Sequence, residues 1–347
     1  MPLTTKKKPQ PVLLAGDIGG TKTTLALYDA ASWPGQVLRQ RTYQNLAFES
    51  FDALMGEFLG REHLGAGSCC LGVAGPIFDN TVQMTNRNWS LSADALQRTF
   101  GFTRVDLVND LVATGLGAVT LPRTEIQPLN EGTARPMGAI AVLAPGTGLG
   151  EAFLLPHAGG YLPGPSEGGH AGFSPRNRLQ IDLLEFMLRM HDHVSVEQVC
   201  SGRALPDLLH FMATRYTVPP WLQEQLGTCA DLTPVIIRAA LDGGQHGQPC
   251  EIAVQTMRLF VDILAEEAAN LALKTLSLGG LYLAGGLITR ILPFLEPGRF
   301  MSVFARGIYR QFLARIPIHI VLNPETALLG AALYGYNRMT QRAGEKK

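Results

Sequence analysis

The chain has 347 residues, of which 29 are basic and 29 acidic, so its formal net charge is zero. That length suits about two domains with a sizeable core, and the charge balance argues against nucleic-acid binding driven by bulk phosphate neutralisation without forbidding a small local basic patch. Glycine is the outlier: 38 residues, about 11% against a usual 7% or so, with no collagen period and no low-complexity run, so the surplus belongs to particular loops.

Residues 1–11 read as a solvated tail, with Lys6, Lys7 and Lys8 as its only basic run. The apolar run 12–15 predicts a buried strand. Gly16-Asp17-Ile18-Gly19-Gly20-Thr21 reads as a turn, and 23–28 as a second strand. Phe51, Leu54, Met55 and Phe58 give 48–59 helical spacing. Strands follow over 69–74, stopped by Gly75-Pro76, and over 105–108, ending at Asn109-Asp110. A helix is predicted over 111–119. The strand 140–144 runs into Pro145-Gly146-Thr147-Gly148-Leu149-Gly150, and 153–155 resumes as strand. The pattern then turns helical over 179–190, 205–216, 233–241 and 251–276. The last has apolar residues on most faces and is predicted to be largely buried. Strands over 281–284, stopped by Gly285-Gly286, and 318–321 precede a closing helix over 326–339.

Strands alternating with helices give an α/β class. A faint internal echo accompanies it. Strand, glycine turn and strand recur at 12–26 and 141–155, and a strand closed by Ala-Gly recurs at 69–77 and 282–288. One explanation is a duplicated α/β unit whose second copy carries a helical insertion; short motifs also echo by chance.

No uncharged run reaches the ~18 residues of a membrane helix, and no secretory signal is visible. Cys69, Cys70, Cys200, Cys229 and Cys250 form no CxxC and no metal-finger spacing. They read as reduced thiols of a cytoplasmic protein.

Gly-rich turns can cradle phosphate, because a Cβ would block the approach to exposed backbone N–H groups. Two turns qualify, 16–21 and 146–150, and neither matches GxxxxGK[ST] or GxGxxG. Each alone is equally a tight turn. Asp17 cannot grip phosphate itself, but it can hold a magnesium ion through water. Asn109-Asp110 ends a predicted strand, where open α/β sheets place ligands. A carboxylate there can take a proton from an attacking hydroxyl; the competing reading is a helix cap. Glu167-Gly168-Gly169-His170 lies in a Gly- and Pro-rich segment read as an exposed loop. Glu197 lies near a predicted helix start, where the dipole favours it. Asn109, Asp110, Glu167, His170 and Glu197 suit a ligand with vicinal hydroxyls, provided the fold gathers them.

In order along the chain, Gly16-Asp17-Ile18-Gly19-Gly20-Thr21, Ala74-Gly75-Pro76-Ile77, Met84-Thr85-Asn86 with Trp89, and Asn109-Asp110 resemble the motifs of bacterial-type glucokinases. So do Gly146-Thr147-Gly148-Leu149-Gly150, Glu167-Gly168-Gly169-His170, His193-Val194-Ser195-Val196-Glu197 with Ser201-Gly202, and Leu283-Ala284-Gly285-Gly286. That family is the hexokinase branch of the sugar kinase/heat-shock protein 70/actin superfamily. The resemblance implies an α/β fold of two actin-like (ribonuclease H-like) domains with a cleft between them. The expected small domain is 1–118 plus 326–347, and the large one 119–325.

The resemblance also implies ATP-dependent phosphorylation of D-glucose to glucose 6-phosphate, with Mg2+. Asp110 falls on the catalytic base. Asn86, Asn109, Asp110, Glu167, His170 and Glu197 fall on the sugar contacts. Gly16, Asp17, Gly19, Gly20, Thr21, Gly146, Thr147 and Gly148 fall on the phosphate loops, and Gly285 and Gly286 on the adenosine loop. A homodimer is implied, with no nucleic-acid or membrane partner. Other hexoses, polyphosphate as donor, and a non-catalytic actin-like nucleotide- or sugar-sensing protein are the alternatives. Ser166 and Lys22 depart from the pattern, which usually has Gly and Asn there, and Pro145 precedes the second loop. The CxCGxxGC zinc motif of the related repressor/open-reading-frame/kinase group is absent. Roughly 11 residues precede the first strand, so no helix-turn-helix domain is expected.

Overall fold

The computed structural model describes residues 12–60, 67–84, 89–158, 160–244 and 247–345. The chain divides into two compact units, Met1–Leu121 with Glu325–Lys347, and Pro122–Pro324. Each has its own sheet and its own apolar core.

The first unit contains β1 (Val12–Ile18), β2 (Lys22–Asp29), β3 (Val37–Gln44), α1 (Phe51–Leu59), β4 (Ser68–Val73), β5 (Thr81–Gln83), β6 (Ser90–Ser92), α2 (Ala93–Phe100), β7 (Arg104–Asn109) and α3 (Asp110–Ala118). Its five-stranded sheet has the order β3-β2-β1-β4-β7. β1, β2 and β3 form an antiparallel meander, and β1, β4 and β7 run parallel. β1 and β4 are nearly continuous apolar runs because both of their faces are covered. β5 and β6 make a separate two-stranded ribbon.

The second unit contains β8 (Ile126–Pro128), β9 (Ile140–Pro145), β10 (Leu149–His157), β11 (Gly160–Ser166), α4 (Arg178–Met187), α5 (Leu205–Met212), α6 (Pro220–Thr228), α7 (Thr233–Leu241), α8 (Glu251–Thr275), β12 (Gly280–Leu283), α9 (Gly286–Arg290), α10 (Pro297–Phe304), α11 (Arg310–Arg315) and β13 (Ile318–Val321). Its sheet order is β11-β10-β9-β12-β13-β8. The pattern of the first unit repeats: β9, β10 and β11 form an antiparallel meander, and β9, β12 and β13 run parallel. The sequence echo therefore has a counterpart in topology, with β8 added at one edge. α8 is buried on most faces, as its apolar distribution predicts, and packs against α5, α7 and α10.

The chain returns to the first unit as α12 (Thr326–Glu345). It crosses α3 at a distance that only glycine permits. A Cβ on Gly330 would lie 1.7 Å from Ala113 O, and one on Gly117 2.0 Å from Thr326 O. This crossing holds α3, and so Asp110 at its first turn, against the sheet.

Three expectations need correction. Gly16 and Asp17 belong to β1 rather than to a turn, because β1 pairs with β2 and β4 as far as Ile18. The segment before Glu167 is not a loop but the edge strand β11, where Pro163 and Pro165 are tolerated because one side of an edge strand carries no ladder. No helix starts at Glu197; it lies in a tight turn, and α5 begins at Leu205.

All five cysteines are free thiols, four of them buried. Among the described residues no helix is long and apolar enough to cross a membrane.

Candidate active site

In the first unit the candidate residues gather at the carboxyl ends of the parallel strands. Ile18 pairs with Val73, and Val73 with Asn109, so β1, β4 and β7 end level with one another. Gly72 keeps them close. A Cβ there would stand 3.2 Å from Ala113 Cβ, 3.5 Å from Gly16 O and 3.9 Å from Asp110 Cα. Asp17 and Asp110 thus flank the same strand end.

Asn109 caps α3. Its Oδ1 accepts from Leu111 N at 2.9 Å and Val112 N at 3.3 Å, and its Nδ2 donates to Gly75 O at 3.3 Å. The cap reading is right for Asn109. It also fixes the residue that follows, since Asp110 occupies the first helical position with its carboxyl half-buried. Asp110 Oδ1 accepts from Leu111 N at 3.0 Å.

Half-buried Asp17 has its pKa raised to about 6 by burial, with the Lys22 charge opposing the shift. A carboxyl so placed is stabilised by a cation, which fits a magnesium-facing role. Among the described residues no group of three or more His, Cys, Asp or Glu side chains forms a metal cage.

The turn after β1 is narrower than the motif suggests. Gly19 N donates to Lys22 O at 3.0 Å, so this amide is spent within the turn. Gly16 is a packing glycine: a Cβ there would meet Leu71 Cδ2 at 2.7 Å and Leu25 Cδ2 at 2.8 Å. Exposed Thr21 and half-buried Gly20 present the remaining amides.

In the second unit the loop 146–148 closes on itself, with Gly146 N donating to Gly148 O at 2.8 Å. The space beside Gly146 is open: nothing lies within 4 Å of a Cβ built there. Gly285, at φ +91°, lies against this loop, and a Cβ on it would be 2.9 Å from Pro145 O. The loops after β9 and β12 are therefore neighbours at the ends of parallel strands. Glu197 fastens this loop to the Glu167 segment. Its Oε2 accepts from Leu149 N at 2.8 Å, and its backbone N donates to Gly169 O at 2.8 Å. Gly148 is confined by the same carboxylate, since a Cβ there would lie 2.3 Å from Oε2. The side chains of Glu167 and His170 are more than half exposed, with Oε2 and Nε2 4.0 Å apart across a 3₁₀ turn, Gly168–His170.

Residues 14–338 match the glucokinase family model. The chain belongs to the glucokinase family. The glucokinase of Nostoc punctiforme is 37% identical over 339 residues, spanning 93% of this chain and 98% of that protein. Among solved structures, glucokinase from an Antarctic psychrotroph matches with a TM-score of 0.78 at 29% identity, covering 94% of this chain and 99% of that one. Glucokinase from Balamuthia mandrillaris, solved in complex with glucose, matches with a TM-score of 0.74 at 25% identity, covering 96% and 95%. The α/β fold with two domains is the fold of these glucokinases.

Asn86 lies outside the described residues. Its neighbour Trp89 is a core side chain, buried against Phe51 and donating from Nε1 to Glu49 O at 3.2 Å.

Two residues escaped the sequence reading. Fully buried Asn45 clamps the first glycine turn: Nδ2 donates to Gly19 O at 2.8 Å, Oδ1 accepts from Thr23 Oγ1 at 2.8 Å, and its backbone N donates to Thr21 O at 2.9 Å. Nothing in its local sequence marks it. Glu151 is buried in β10 beneath Gly168. A lone carboxyl in the apolar run Gly150-Glu151-Ala152-Phe153-Leu154 was its signal.

Proposed function

We propose that the chain transfers the γ-phosphoryl group of ATP to the 6-hydroxyl of D-glucose. The observation that carries the reading is Asp110, a half-buried carboxylate at the end of β7 beside the end of β1, in a member of the glucokinase family. Asp110 aligns the hydroxyl and takes its proton as the oxygen attacks phosphorus, and ADP leaves. Such general-base help is worth roughly 10²–10⁴ in rate. The rest is positioning and charge stabilisation of a loose transition state.

Asn86, Asn109, Glu167, His170 and Glu197 are proposed to hold the sugar. Asn109 would do so from a side chain that also caps α3 and so orients Asp110. Glu197 would do so while its Oε2 holds the Leu149 amide. The amides of Gly20, Thr21, Thr147 and Gly148 would face the phosphates, and Gly285 and Gly286 the adenosine. Magnesium bound to ATP would neutralise phosphate charge, with Asp17 holding it through water. Gly16 is left out of this set because it packs the core. A cytoplasmic homodimer, of the actin-like superfamily, is part of the same proposal.

Glucose 6-phosphate formation measured over a panel of hexoses and phosphate donors tests the reading. Glucose with ATP is expected to be the best pair. A higher kcat/KM for fructose or mannose, or for polyphosphate, would replace the substrate assignment. ADP release independent of any sugar would replace the kinase by a nucleotide-binding sensor.

A further inference from the structure

Glu151 is 2% exposed, and no motif residue accounts for it. Its neighbours across the sheet are Leu143 of β9 and Ser166 of β11. A Cβ on Gly168 would lie 2.0 Å from Glu151 Oε2, so the Gly168 backbone rests on this carboxyl. On the other side stands Glu267 of α8, 4% exposed and within hydrogen-bonding reach of Glu151. Oε1 of Glu151 and Oε1 of Glu267 are both buried, and neither has a hydrogen-bond partner among the described residues.

Two ionised carboxylates here would leave these two buried oxygens without a hydrogen-bond donor and would repel one another. One proton removes both defects, because a carboxyl donating to a carboxylate satisfies both oxygens. The surroundings place that proton on Glu151. Glu267 already has charge-stabilising partners: Asn270 Nδ2 donates to its Oε2 at 2.9 Å, and Lys274 Nζ lies 3.7 Å from its Oε1. Among the described residues Cys200 and Arg306 also face the pair: burial with the nearby carboxylates holds the Cys200 thiol well above the usual range, and the Arg306 guanidinium lies on the Glu267 side, donating to Glu266 O at 3.2 Å and to Asn270 Oδ1 at 2.6 Å. The adjacent Glu266 is engaged elsewhere, accepting from Gln180 Nε2 at 2.9 Å. Burial and Glu267 together push Glu151 up to about 7.

We propose that Glu151 is a positioning residue for the 167–170 segment, seating Gly168 through a proton it shares with Glu267. Ser166 completes the seat, since its Oγ accepts from Gly168 N at 3.0 Å. Gly168 is thus held at its amide by Ser166 and at its α-carbon by Glu151, and Glu167 and His170 are carried with it. The inference rests on the reading that Glu167 and His170 hold the sugar. Loss of the shared proton sets two carboxylates against each other under Gly168 and loosens the segment. Glucose KM then rises, whereas kcat, which depends on Asp110, changes little.

The test compares the full chain with Glu151→Gln and Glu267→Gln between about pH 6 and about pH 8.5, across the titration of Glu151. Glucose KM and kcat are measured at saturating ATP. Amide hydrogen exchange of residues 166–172, corrected for its intrinsic pH dependence, is read on the same samples. In the unaltered chain glucose KM should rise roughly 3- to 10-fold with pH while kcat moves less than about 2-fold, and exchange should quicken in parallel. In Glu151→Gln, whose amide donates at every pH, both readouts should stay flat. Glu267→Gln removes the repulsion from the other side and should flatten them too, so a folding failure of one variant leaves the other to decide. KM and exchange that climb with pH equally in all three proteins overturn the proposal. Exchange that follows this pattern without glucose turnover in any of them supports the seating of Gly168 and overturns the sugar reading instead.

Discussion

Gly148 and Gly146 sit in the same loop and should respond in opposite ways to one added methyl. At Gly148 the new Cβ would be 2.3 Å from Glu197 Oε2 and 3.1 Å from Glu197 Cδ. The carboxylate must retreat by about 1 Å to reach van der Waals distance, and its 2.8 Å bond from Leu149 N then stretches beyond hydrogen-bonding range. Losing a hydrogen bond to a charged group costs roughly 1.5–3 kcal/mol, and residual overpacking adds to it. Gly148→Ala should therefore lose about 2–3 kcal/mol, lowering the melting temperature of the second unit by roughly 4–12 °C. The Gly148→Ala/Glu197→Ala pair should be strongly non-additive, because the second change removes the atom the first collides with. Gly146→Ala has open space at Cβ and should melt within about 2 °C of the unaltered chain. Its methyl stands where phosphate would approach, so KM for ATP should rise roughly tenfold. Calorimetry and steady-state kinetics on the variants decide the matter. A Gly148→Ala melting curve superimposable on the parent, or strict additivity with Glu197→Ala, would refute the reasoning.

Gly16→Ala should behave as a core substitution, costing roughly 1–3 kcal/mol through contact with Leu25 and Leu71, with KM for ATP unchanged in the folded fraction; urea melts with kinetics check this. Asn45→Ala should loosen the first glycine turn, raising KM for ATP and leaving glucose KM alone, because its partners are Gly19, Thr21 and Thr23. Asp17 has a folded pKa near 6 against an ordinary value of 3.8. Its protonated form is the one the fold favours, so its stabilising contribution is present below about pH 4 and lost as pH rises to about 6. Asp17→Asn should accordingly melt like the parent at low pH, melt higher than it above pH 6, and lose turnover; paired thermal melts at the two ends of that window read the sign.

The strands that position the site were legible because β1, β4, β9 and β12 are short apolar runs stopped by glycine, and β7 is one stopped by the polar pair Asn109-Asp110. β3 was not, since Val37–Gln44 is an edge strand with mostly exposed side chains and carries arginine and glutamine in place of an apolar pattern. β11 was hidden by its prolines. α2, α6, α10 and α11 are short helices whose apolar faces have meaning only against neighbours distant in sequence. The motif glycines were found, but the work of Gly16 was misassigned. It is a strand residue where a Cβ would meet the side chains of Leu71 and Leu25, a fact set by register across three strands rather than by the local string. Asn45 and Glu151 were missed for the same reason, as each acts on a segment brought near only by pairing. Ser166, a departure from the family's glycine, has a plain role in the fold as the acceptor for the Gly168 amide.

Asp110→Asn carries the most direct test of the central claim, because the change keeps the shape of the side chain at the start of α3 and removes its capacity to take a proton. Glucose-dependent ADP formation is measured beside glucose binding by calorimetry. The account predicts that kcat falls by roughly 10²–10⁴ while the glucose Kd stays within about threefold. A variant that keeps a near-normal kcat would contradict it, and the base would have to be sought elsewhere.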